Sequence, residues 1–370
     1  MIRVLHLMRS LKAGGIGTFI LNNYRAMDRS QIQFDFAITL GGMGEYGKEI
    51  EERGGHIYFI STDGNRSLFD GIKQVYRFYK LCKKNNYNVV HCHYYFANAF
   101  FLLAAKLAGI KVRVSHCHNT RTKSVGITRR IFEFFSRKLL LKVGTVFLGC
   151  ADESTKFLYG EDAFNKGIAK TLYNGIDYEY WDLKKLDVDE VKAKYSVKSE
   201  KVLLFVGRME DQKNPIYALQ VVDKLHKSLP NMLFFMVGEG SLLDRARKFV
   251  YDNDMVEYVR FLPAQSDIRE LQAISDVMIA PSIWEGLSIA YIEAQKMKTM
   301  VFSSDQVPFE VDMGYCVHNS LKNQDIWCKG IIDYLSEERK DVPLENPERF
   351  DIKETSRKLL SIYYGYNDKI

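Results

Sequence analysis

The 370-residue sequence lacks most of the features that mark disordered, exported or membrane-spanning chains. It has only 7 prolines and no low-complexity tract, so we expect no long disordered region. The longest apolar stretches, such as residues 96–105, are far shorter than the roughly 20 residues that a membrane-spanning helix requires. Arg3, His6 and Arg9 interrupt the apolar residues at the start, which argues against a signal peptide.

Disulfide frameworks are not indicated either. The 6 cysteines include no C-x-x-C pair, and without an export signal we expect their thiols to stay reduced in the cytoplasm. Hydrophobic residues make up 46% and charged residues 26% of the chain, which is the ordinary balance of a soluble globular protein. The length suggests two domains.

Charge is distributed unevenly along the chain. Residues 1–174 carry 26 Lys and Arg against 13 Asp and Glu, whereas residues 175–370 carry 26 against 33. The net charge of +6 therefore combines a strongly basic first half with an acidic second half. This asymmetry indicates an anionic partner for the first half, and nucleic acid, an anionic membrane surface or a phosphorylated acceptor would each fit.

Apolar strand-like runs alternate with helical patterns, and the alternation restarts near residue 201. This pattern predicts an α/β protein of two doubly wound, Rossmann-like domains. An Asn-Gly turn within residues 172–181 marks the switch, so we place the first domain at 1–174 and the second at 175–351. Ligands of such sheets bind at the carboxyl ends of the strands, so two domains facing each other would hold their ligand in a cleft.

Two His-Cys-His triplets, at residues 91–93 and 116–118, resemble metal ligands at first sight. Zinc needs three or four convergent ligands, whereas each triplet ends a strand, where a polar side chain easily reaches solvent. We therefore expect no metal site and assign a structural role to His91, His93 and His116. His118 differs because the polar segment that follows it opens toward the expected ligand site.

The stretch PSIWEGLSIAYIEA, residues 281–294, places a turn between a strand and a helix. The start of a helix offers unpaired N–H groups and the positive end of a dipole, both suited to a phosphate. Gly286 permits close approach of a ligand, and Glu293 is placed to accept hydrogen bonds from vicinal hydroxyls. The alternative is an ordinary helix with two exposed carboxylates, Glu285 and Glu293.

The stretch FVGRMEDQKNP, residues 205–215, follows the first strand of the second half. Arg208 and Lys213 lie on the loop after that strand, where two cations beside a helix start would suit a diphosphate. The alternative is a pair of solvated surface cations. Near the start of the chain, Gly15 and Gly17 form a glycine turn, but Ile20 replaces the third glycine of a dinucleotide-binding fingerprint.

Residues 121–142 carry seven cations and one acid among recurring apolar residues. They predict a basic amphipathic helix suited to an anionic lipid surface. The alternative is a helix with one buried and one solvated face.

Together these motifs resemble the retaining glycosyltransferases of family 4, which have the GT-B fold, and especially those of bacterial exopolysaccharide and capsule clusters. The resemblance spans nearly the whole chain, and EGLSIAYIEA is its most specific motif. It implies a nucleotide-sugar donor, most often UDP-linked, held mainly by the second domain. It also implies that the last helix, about residues 352–370, crosses back to the first domain. Tyr173 departs from the pattern, since the family often has proline there.

The resemblance carries a role to individual residues. Arg208 and Lys213 match the pair that neutralises the donor diphosphate, and Glu285 matches the glutamate beside the transferred sugar. Glu293 matches the ribose-binding glutamate, and His118 matches the histidine that faces the sugar. The remaining matches are to glycines and amides near the sugar and phosphates: Gly15, Gly17, Gly286, Leu287 and Ser288.

The reaction implied is metal-independent, retaining transfer of a hexose to a hydroxyl of a lipid-linked or oligosaccharide acceptor. No cofactor or nucleic acid partner is expected. The basic first half favours a cytoplasmic enzyme attached peripherally to the inner face of the membrane. Two alternatives stay open at this point: a sugar-nucleotide epimerase on the same fold, and a non-catalytic sugar-binding protein.

Overall fold

The computed structural model describes the whole chain except residues 13, 62–67, 122–125, 200, 266, 339–341 and 366–370. The chain divides into two compact units. The first unit comprises Met1–Gly175 together with Arg349–Ile370, and the second comprises Ile176–Glu348. The sequence-based boundary at residues 174 and 175 lies within two residues of the point at which the first unit gives way to the second.

The described part of the first unit contains a sheet of seven parallel strands. They are β1 (Ile2–Met8), β2 (Ile32–Ile38), β3 (Ile57–Phe59), β4 (Val89–Cys92), β5 (Val112–Cys117), β6 (Val146–Gly149) and β7 (Ala169–Thr171). Their order in the sheet is β3-β2-β1-β4-β5-β6-β7. The order reverses between β1 and β4, which is where ligands of such sheets bind.

Helices cover this sheet, as parallel strands require. They are α1 (Gly15–Ala26), α2 (Gly47–Glu52), α3 (Leu68–Lys84), α4 (Asn98–Leu107), α5 (Ile127–Val143), α6 (Asp152–Tyr159) and α7 (Glu161–Asn165), with the last helix of the chain, α14 (Ile352–Tyr363). Helix α14 packs against α1. Ser356 donates a hydrogen bond of 3.1 Å to the side-chain oxygen of Asn23, which fixes α14 to the first unit.

The described part of the second unit contains six parallel strands in the order β10-β9-β8-β11-β12-β13. They are β8 (Lys201–Val206), β9 (Met232–Val237), β10 (Val259–Leu262), β11 (Val277–Ala280), β12 (Met300–Ser304) and β13 (Cys316–Asn319). The helices of this unit are α8 (Val188–Lys194), α9 (Pro215–His226), α10 (Leu243–Asp252), α11 (Arg269–Ala273), α12 (Ile289–Lys296) and α13 (Gln324–Ser336). The core is apolar and includes the fully buried Trp327 of α13, the helix that packs against α9.

The predicted fold class, two doubly wound parallel sheets, is confirmed. Strands β7 and β13 are not evident from the sequence. Both lie at a sheet edge and have only 3 and 4 residues, so neither has an apolar run long enough to be read from sequence. Within the part of the chain that the structure describes, no helix has the length and apolar character needed to span a membrane.

Candidate active site

The second sheet reverses its strand order between β8 and β11. At this reversal, the loops that leave the two strands diverge and leave a crevice at their carboxyl ends. Residues 207–214 follow β8, and residues 281–288 follow β11. The predicted residues Arg208, Lys213 and Glu285 therefore all lie on these two neighbouring loops.

Lys213 and Glu285 form an ion pair across the two loops. The ammonium nitrogen of Lys213 lies 2.7 Å from Oε1 of Glu285, and their side chains are only 15% and 9% exposed. The same ammonium group lies 5.5 Å from the centre of the Tyr291 ring. A cation held in so little solvent interacts strongly with any anion that reaches it, because water screens it poorly.

Gln212 ties the two loops together. Its backbone oxygen accepts a hydrogen bond of 2.8 Å from the Ile283 amide, and its side-chain amide donates to the Trp284 oxygen at 3.1 Å. Its Oε1 accepts from the guanidinium of the exposed Arg208 at 2.8 Å. Gln212 thus orients one predicted cation while fixing the loop that carries the other.

Glu293 lies within α12, and its side chain is buried. Among the described residues, no side chain or amide donates a hydrogen bond to its carboxyl group. Burial, assisted by the negative charge of Asp267, raises the pKa of Glu293 to about 8. A buried carboxyl group of this kind is set up to bind hydroxyl donors from a ligand.

The start of α12 carries the other predicted contacts. Ser288 is its N-cap residue, yet its side chain makes no capping hydrogen bond. Gly286, Leu287 and Ser288 are all buried. The first amides of a helix have no partner within the helix, so this terminus can direct N–H groups at an anion.

A cavity of about 380 Å³ opens beside these loops, at the carboxyl ends of β9 and β10. Residues of the β9 and β10 loops and of α10 line it: Gly238, Glu239, Gly240, Leu243, Arg247, Phe261, Leu262 and Pro263. Gly238 has a φ of +141°, and a Cβ atom there would lie 2.0 Å from the Gly207 oxygen. Only glycine therefore lets the β8 and β9 loops approach each other this closely.

The first unit brings the two histidine triplets together. His91, His93 and His116 are buried on one face of the sheet, His118 is partly exposed, and a fifth histidine, His6 on β1, joins them. Neighbouring rings have centres 4.1 to 5.6 Å apart. Phe19 of α1 packs its edge on His116.

Hydrogen bonds connect several of these rings. Nδ1 of His6 lies 3.2 Å from Nε2 of His93, and Nδ1 of His93 lies 2.8 Å from Nε2 of His118. Nδ1 of His91 lies 2.8 Å from the Tyr363 hydroxyl on α14. Burial lowers the pKa values of His6 and His118 to about 3, so the rings are neutral.

Two groups of three histidines have ring nitrogens within 4.8 Å of one another, which is close enough to consider a metal. The first group is His6, His91 and His93, and the second is His93, His116 and His118. Both contain His93, whose two nitrogens already make hydrogen bonds, and neither contains a carboxylate to offset a cation. The expectation that the triplets bind no metal stays a prediction.

The structure corrects the reading of the glycine turn. Gly15 and Gly17 do not lie in a loop but in the first turn of α1. A Cβ atom at Gly17 would lie 2.7 Å from the Tyr46 ring, whereas one at Gly15 would meet nothing within 4 Å. Packing against Tyr46 is a structural reason for glycine at position 17, while a Cβ atom at Gly15 would have open space. That the two glycines approach the donor stays a prediction.

Sequence reasoning missed three participants: Gln212, Tyr291 and His6. Gln212 lies within residues 205–215, and Tyr291 lies within residues 281–294. Their positions near the site could therefore be predicted, but their contacts could not. His6 shows no signal in the sequence, because only pairing of β1 with β4 places it opposite His91.

Both halves of the chain match families of known proteins. Residues 13–180 match the model of the family "Glycosyltransferase Family 4", and residues 187–350 match that of "Glycosyl transferases group 1". EpsF of Bacillus subtilis is 29% identical over 362 residues, which cover 96% of this chain and 92% of EpsF. The Escherichia coli UDP-Gal:alpha-D-GlcNAc-diphosphoundecaprenol alpha-1,3-galactosyltransferase is 27% identical over 306 residues, covering 80% of this chain and 77% of that enzyme.

Among solved structures, Anabaena HepE in complex with UDP-glucose superposes with a TM-score of 0.79 at 14% identity. The match covers 99% of this chain and all of HepE. At this identity the likeness speaks for the fold alone. Taken with the two family matches, it identifies the chain as a glycosyltransferase of the GT-B fold, with a family 4 first half and a group 1 second half.

Proposed function

We propose that the enzyme transfers a hexose from a UDP-sugar to a hydroxyl group of a lipid-linked or oligosaccharide acceptor, in the synthesis of a surface polysaccharide. The E. coli relative supports a lipid-linked acceptor, since its name specifies a diphosphoundecaprenol. CapH of Staphylococcus aureus, 23% identical over 378 residues, supports the process, since it is named a capsular polysaccharide biosynthesis glycosyltransferase.

One observation carries the proposal: the buried Lys213–Glu285 pair at the reversal of the second sheet. Arg208 lies on the same loop as Lys213, and the buried Glu293 lies on α12, the helix that follows the loop of Glu285. In our proposal, Lys213 and Arg208 bind the diphosphate, and amides at the start of α12 add further donors. Glu285 orients the sugar, while Glu293 accepts hydrogen bonds from the ribose hydroxyls. The base occupies the cavity at the ends of β9 and β10.

We propose that transfer retains the configuration of the anomeric carbon. The bond from that carbon to the diphosphate oxygen breaks as the acceptor oxygen attacks from the same face. The departing phosphate oxygen then takes the proton of the acceptor hydroxyl. Lys213 and Arg208 stabilise the charge that develops on the diphosphate, so the reaction requires no metal ion.

A panel of nucleotide sugars tests the donor. We expect UDP-hexoses to raise the melting temperature of the protein more than the GDP and ADP analogues do, and to be turned over only when an acceptor is added. Conversion of the donor without an acceptor would indicate an epimerase.

Two further experiments test the stereochemistry and the metal independence. Nuclear magnetic resonance of the product should show the donor's anomeric configuration, and activity should survive a chelator. Inversion, or loss of activity with the chelator, would overturn those parts of the proposal.

We propose further that α5 attaches the enzyme to an anionic membrane surface. Four apolar residues of this helix are 50–71% exposed: Ile127, Ile131, Phe134 and Phe135. Cations accompany them, and the ammonium group of Lys138 lies 4.3 Å from the centre of the Phe134 ring. An exposed face of this composition inserts aromatic side chains between lipid headgroups while its cations meet phosphates. Lys123, which the predicted basic helix includes, lies outside the described residues.

Co-sedimentation with vesicles of anionic phospholipid tests this attachment. We expect binding at low salt, loss of binding at high salt, and weaker binding of Phe135→Ser. Tyr251→Ser is the control, because Tyr251 is 76% exposed but belongs to the second unit. Equal binding by both variants, or no binding at low salt, would contradict a role for α5.

A further inference from the structure

His93 has a feature that no other histidine of the cluster shares. Each of its ring nitrogens lies within hydrogen-bond distance of another imidazole, Nε2 at 3.2 Å from His6 and Nδ1 at 2.8 Å from His118. A neutral imidazole has one N–H and one bare nitrogen, so His93 must donate to one neighbour and accept from the other. The protonated nitrogens of the three rings are therefore coupled.

Only two arrangements satisfy both hydrogen bonds. In one, His6 donates from Nδ1, His93 donates from Nδ1, and His118 accepts at Nε2 and carries its own proton on Nδ1. In the other, all three protons lie on Nε2, so His118 donates to His93 and His93 donates to His6. Burial keeps the rings neutral because it lowers the pKa of each below its ordinary value.

The buried end of the chain distinguishes the two arrangements. Nε2 of His6 is fully buried and has no hydrogen-bond partner among the described residues. The ring lies 4.4 Å from the Phe34 ring, centre to centre, and 5.6 Å from that of Phe36. Buried N–H groups without an acceptor are rarer in proteins than buried acceptors without a donor. This environment favours a bare Nε2 on His6, and hence a proton on Nδ1.

We propose that His93, supported by His6, is a positioning residue that holds His118 as the neutral tautomer with its proton on Nδ1. His118 is partly exposed, and its Nδ1 meets no polar group of the described residues. This nitrogen is then a fixed hydrogen-bond donor. The inference rests on the proposed function in one respect, that the acceptor of this bond is an oxygen of the transferred sugar.

Nitrogen chemical shifts of the imidazoles test the tautomer directly, in ¹⁵N-histidine-labelled protein with no substrate present. The chain has 8 histidines, so the signals can be assigned one by one with His→Phe variants. We expect His6, His93 and His118 to carry the proton on Nδ1. A proton on Nε2 of His118, or a metal ion bound to these nitrogens in the purified protein, would overturn the proposal.

Two variants separate positioning from packing. His93→Phe removes the acceptor and donor between His6 and His118, so His118 should become a mixture of tautomers. His91→Phe is the matched control, because His91 lies two residues before His93, is equally buried, and has its ring centre 4.2 Å from that of His93. It bonds to Tyr363 instead of His118, so the His118 tautomer should not change. An equal response in both variants would overturn the proposal.

Kinetics then links the tautomer to the reaction. If the proposed function is right, His93→Phe lowers kcat on the order of tenfold more than His91→Phe, because a donor that is present only part of the time orients the sugar poorly. A tautomer shift in His93→Phe without that kinetic difference would support the positioning of His118 and refute its contact with the sugar. Failure of the positioning proposal and failure of the proposed contact with the sugar would therefore give different results.

Discussion

The first unit buries neutral imidazoles that bond to one another, while the second buries charged groups beside the ends of β8 and β11. His6, His91, His93 and His116 are all shielded from solvent, and no carboxylate lies in either group of three histidines. In the second unit, the ammonium nitrogen of Lys213 lies 2.7 Å from the carboxylate of Glu285, and both side chains are largely buried. In our proposal, the second unit provides the charge that a diphosphate requires, whereas the first provides neutral donors and acceptors.

The largest effect is expected from Lys213→Met, which removes the least exposed cation of the proposed site. We expect release of UDP in the presence of acceptor to fall on the order of 10²- to 10³-fold, since a charge that stabilises the leaving group is lost. Lys224→Met is the matched control, because Lys224 forms an ion pair of 2.8 Å with Asp325 at the protein surface. Its activity should stay near that of the wild type.

Lys213→Met also leaves the buried Glu285 without its cation, so its melting temperature should fall. The double variant Lys213→Met with Glu285→Gln separates this loss from the chemistry. It should recover stability but not activity. Recovery of both, or activity near the wild type in Lys213→Met, would mean that the second unit's charged pair is structural.

Glu293→Gln should have the next largest effect. If Glu293 binds the ribose as proposed, we expect affinity for UDP to fall about tenfold or more, because a carboxylate accepts hydroxyl bonds more strongly than an amide does. Since burial raises the pKa of Glu293 to about 8, wild-type affinity should increase as pH rises toward that value. Calorimetric titration across pH 6 to 9 measures this slope, which Glu293→Gln should remove.

The same pKa predicts the effect of pH on stability. The folded state binds the Glu293 proton more tightly than the unfolded chain, so this group's contribution to stability decreases as pH rises from its ordinary pKa toward about 8. Glu293→Gln should therefore melt at a higher temperature than the wild type at pH 9, and at the same temperature near pH 4. The exposed Glu257→Gln serves as control. A difference in the opposite direction would show that Glu293 has a cationic partner.

Gly17→Ala and Gly15→Ala test whether the first unit also approaches the phosphates. Gly17→Ala should lose about 1–3 kcal/mol in free energy of unfolding, because its Cβ would crowd the Tyr46 ring. Gly15→Ala should be neutral or slightly stabilising, since it adds a helix former in open space. Denaturant titration measures both. A loss of activity in Gly15→Ala at unchanged stability would show that the charged second unit does not bind the donor alone.

The smallest effect, on the free energy of unfolding, is expected from removing helix caps. Removing one cap in each unit tests the division of the chain into two units. The Asp351 side chain caps α14 by accepting from the Lys353 amide, and Asp187 caps α8 by accepting from two amides. Each Asp→Ala change should cost about 1 kcal/mol. Asp351→Ala should lower the unfolding transition of the first unit, and Asp187→Ala that of the second, as resolved by hydrogen exchange. Loss of protection in the same unit for both would contradict the assignment of α14.

Most strands and long helices are predictable because their patterns are local. Helix α3 is one example, since its apolar residues recur along a single face. The positions of the charged loops in the second unit are also predictable. A cation or carboxylate directly after a parallel strand lies at the carboxyl end of the sheet, where ligands bind. The contact of Gly17 with the Tyr46 ring could not be predicted, since a glycine that packs on a ring looks the same in sequence as one that approaches a ligand.

By itself, the sequence determined the two parallel sheets and the presence of Arg208, Lys213, Glu285 and Glu293 at strand ends or on the following helix. Hydrophobic periodicity and the rule for parallel strands suffice for that. Only the tertiary structure decided that Glu293 is buried with a raised pKa and that His6 joins two distant triplets. Solvent exclusion and hydrogen-bond partners depend on atoms brought together from remote parts of the chain, and those atoms determine both the charge of a carboxyl group and the tautomer of a histidine.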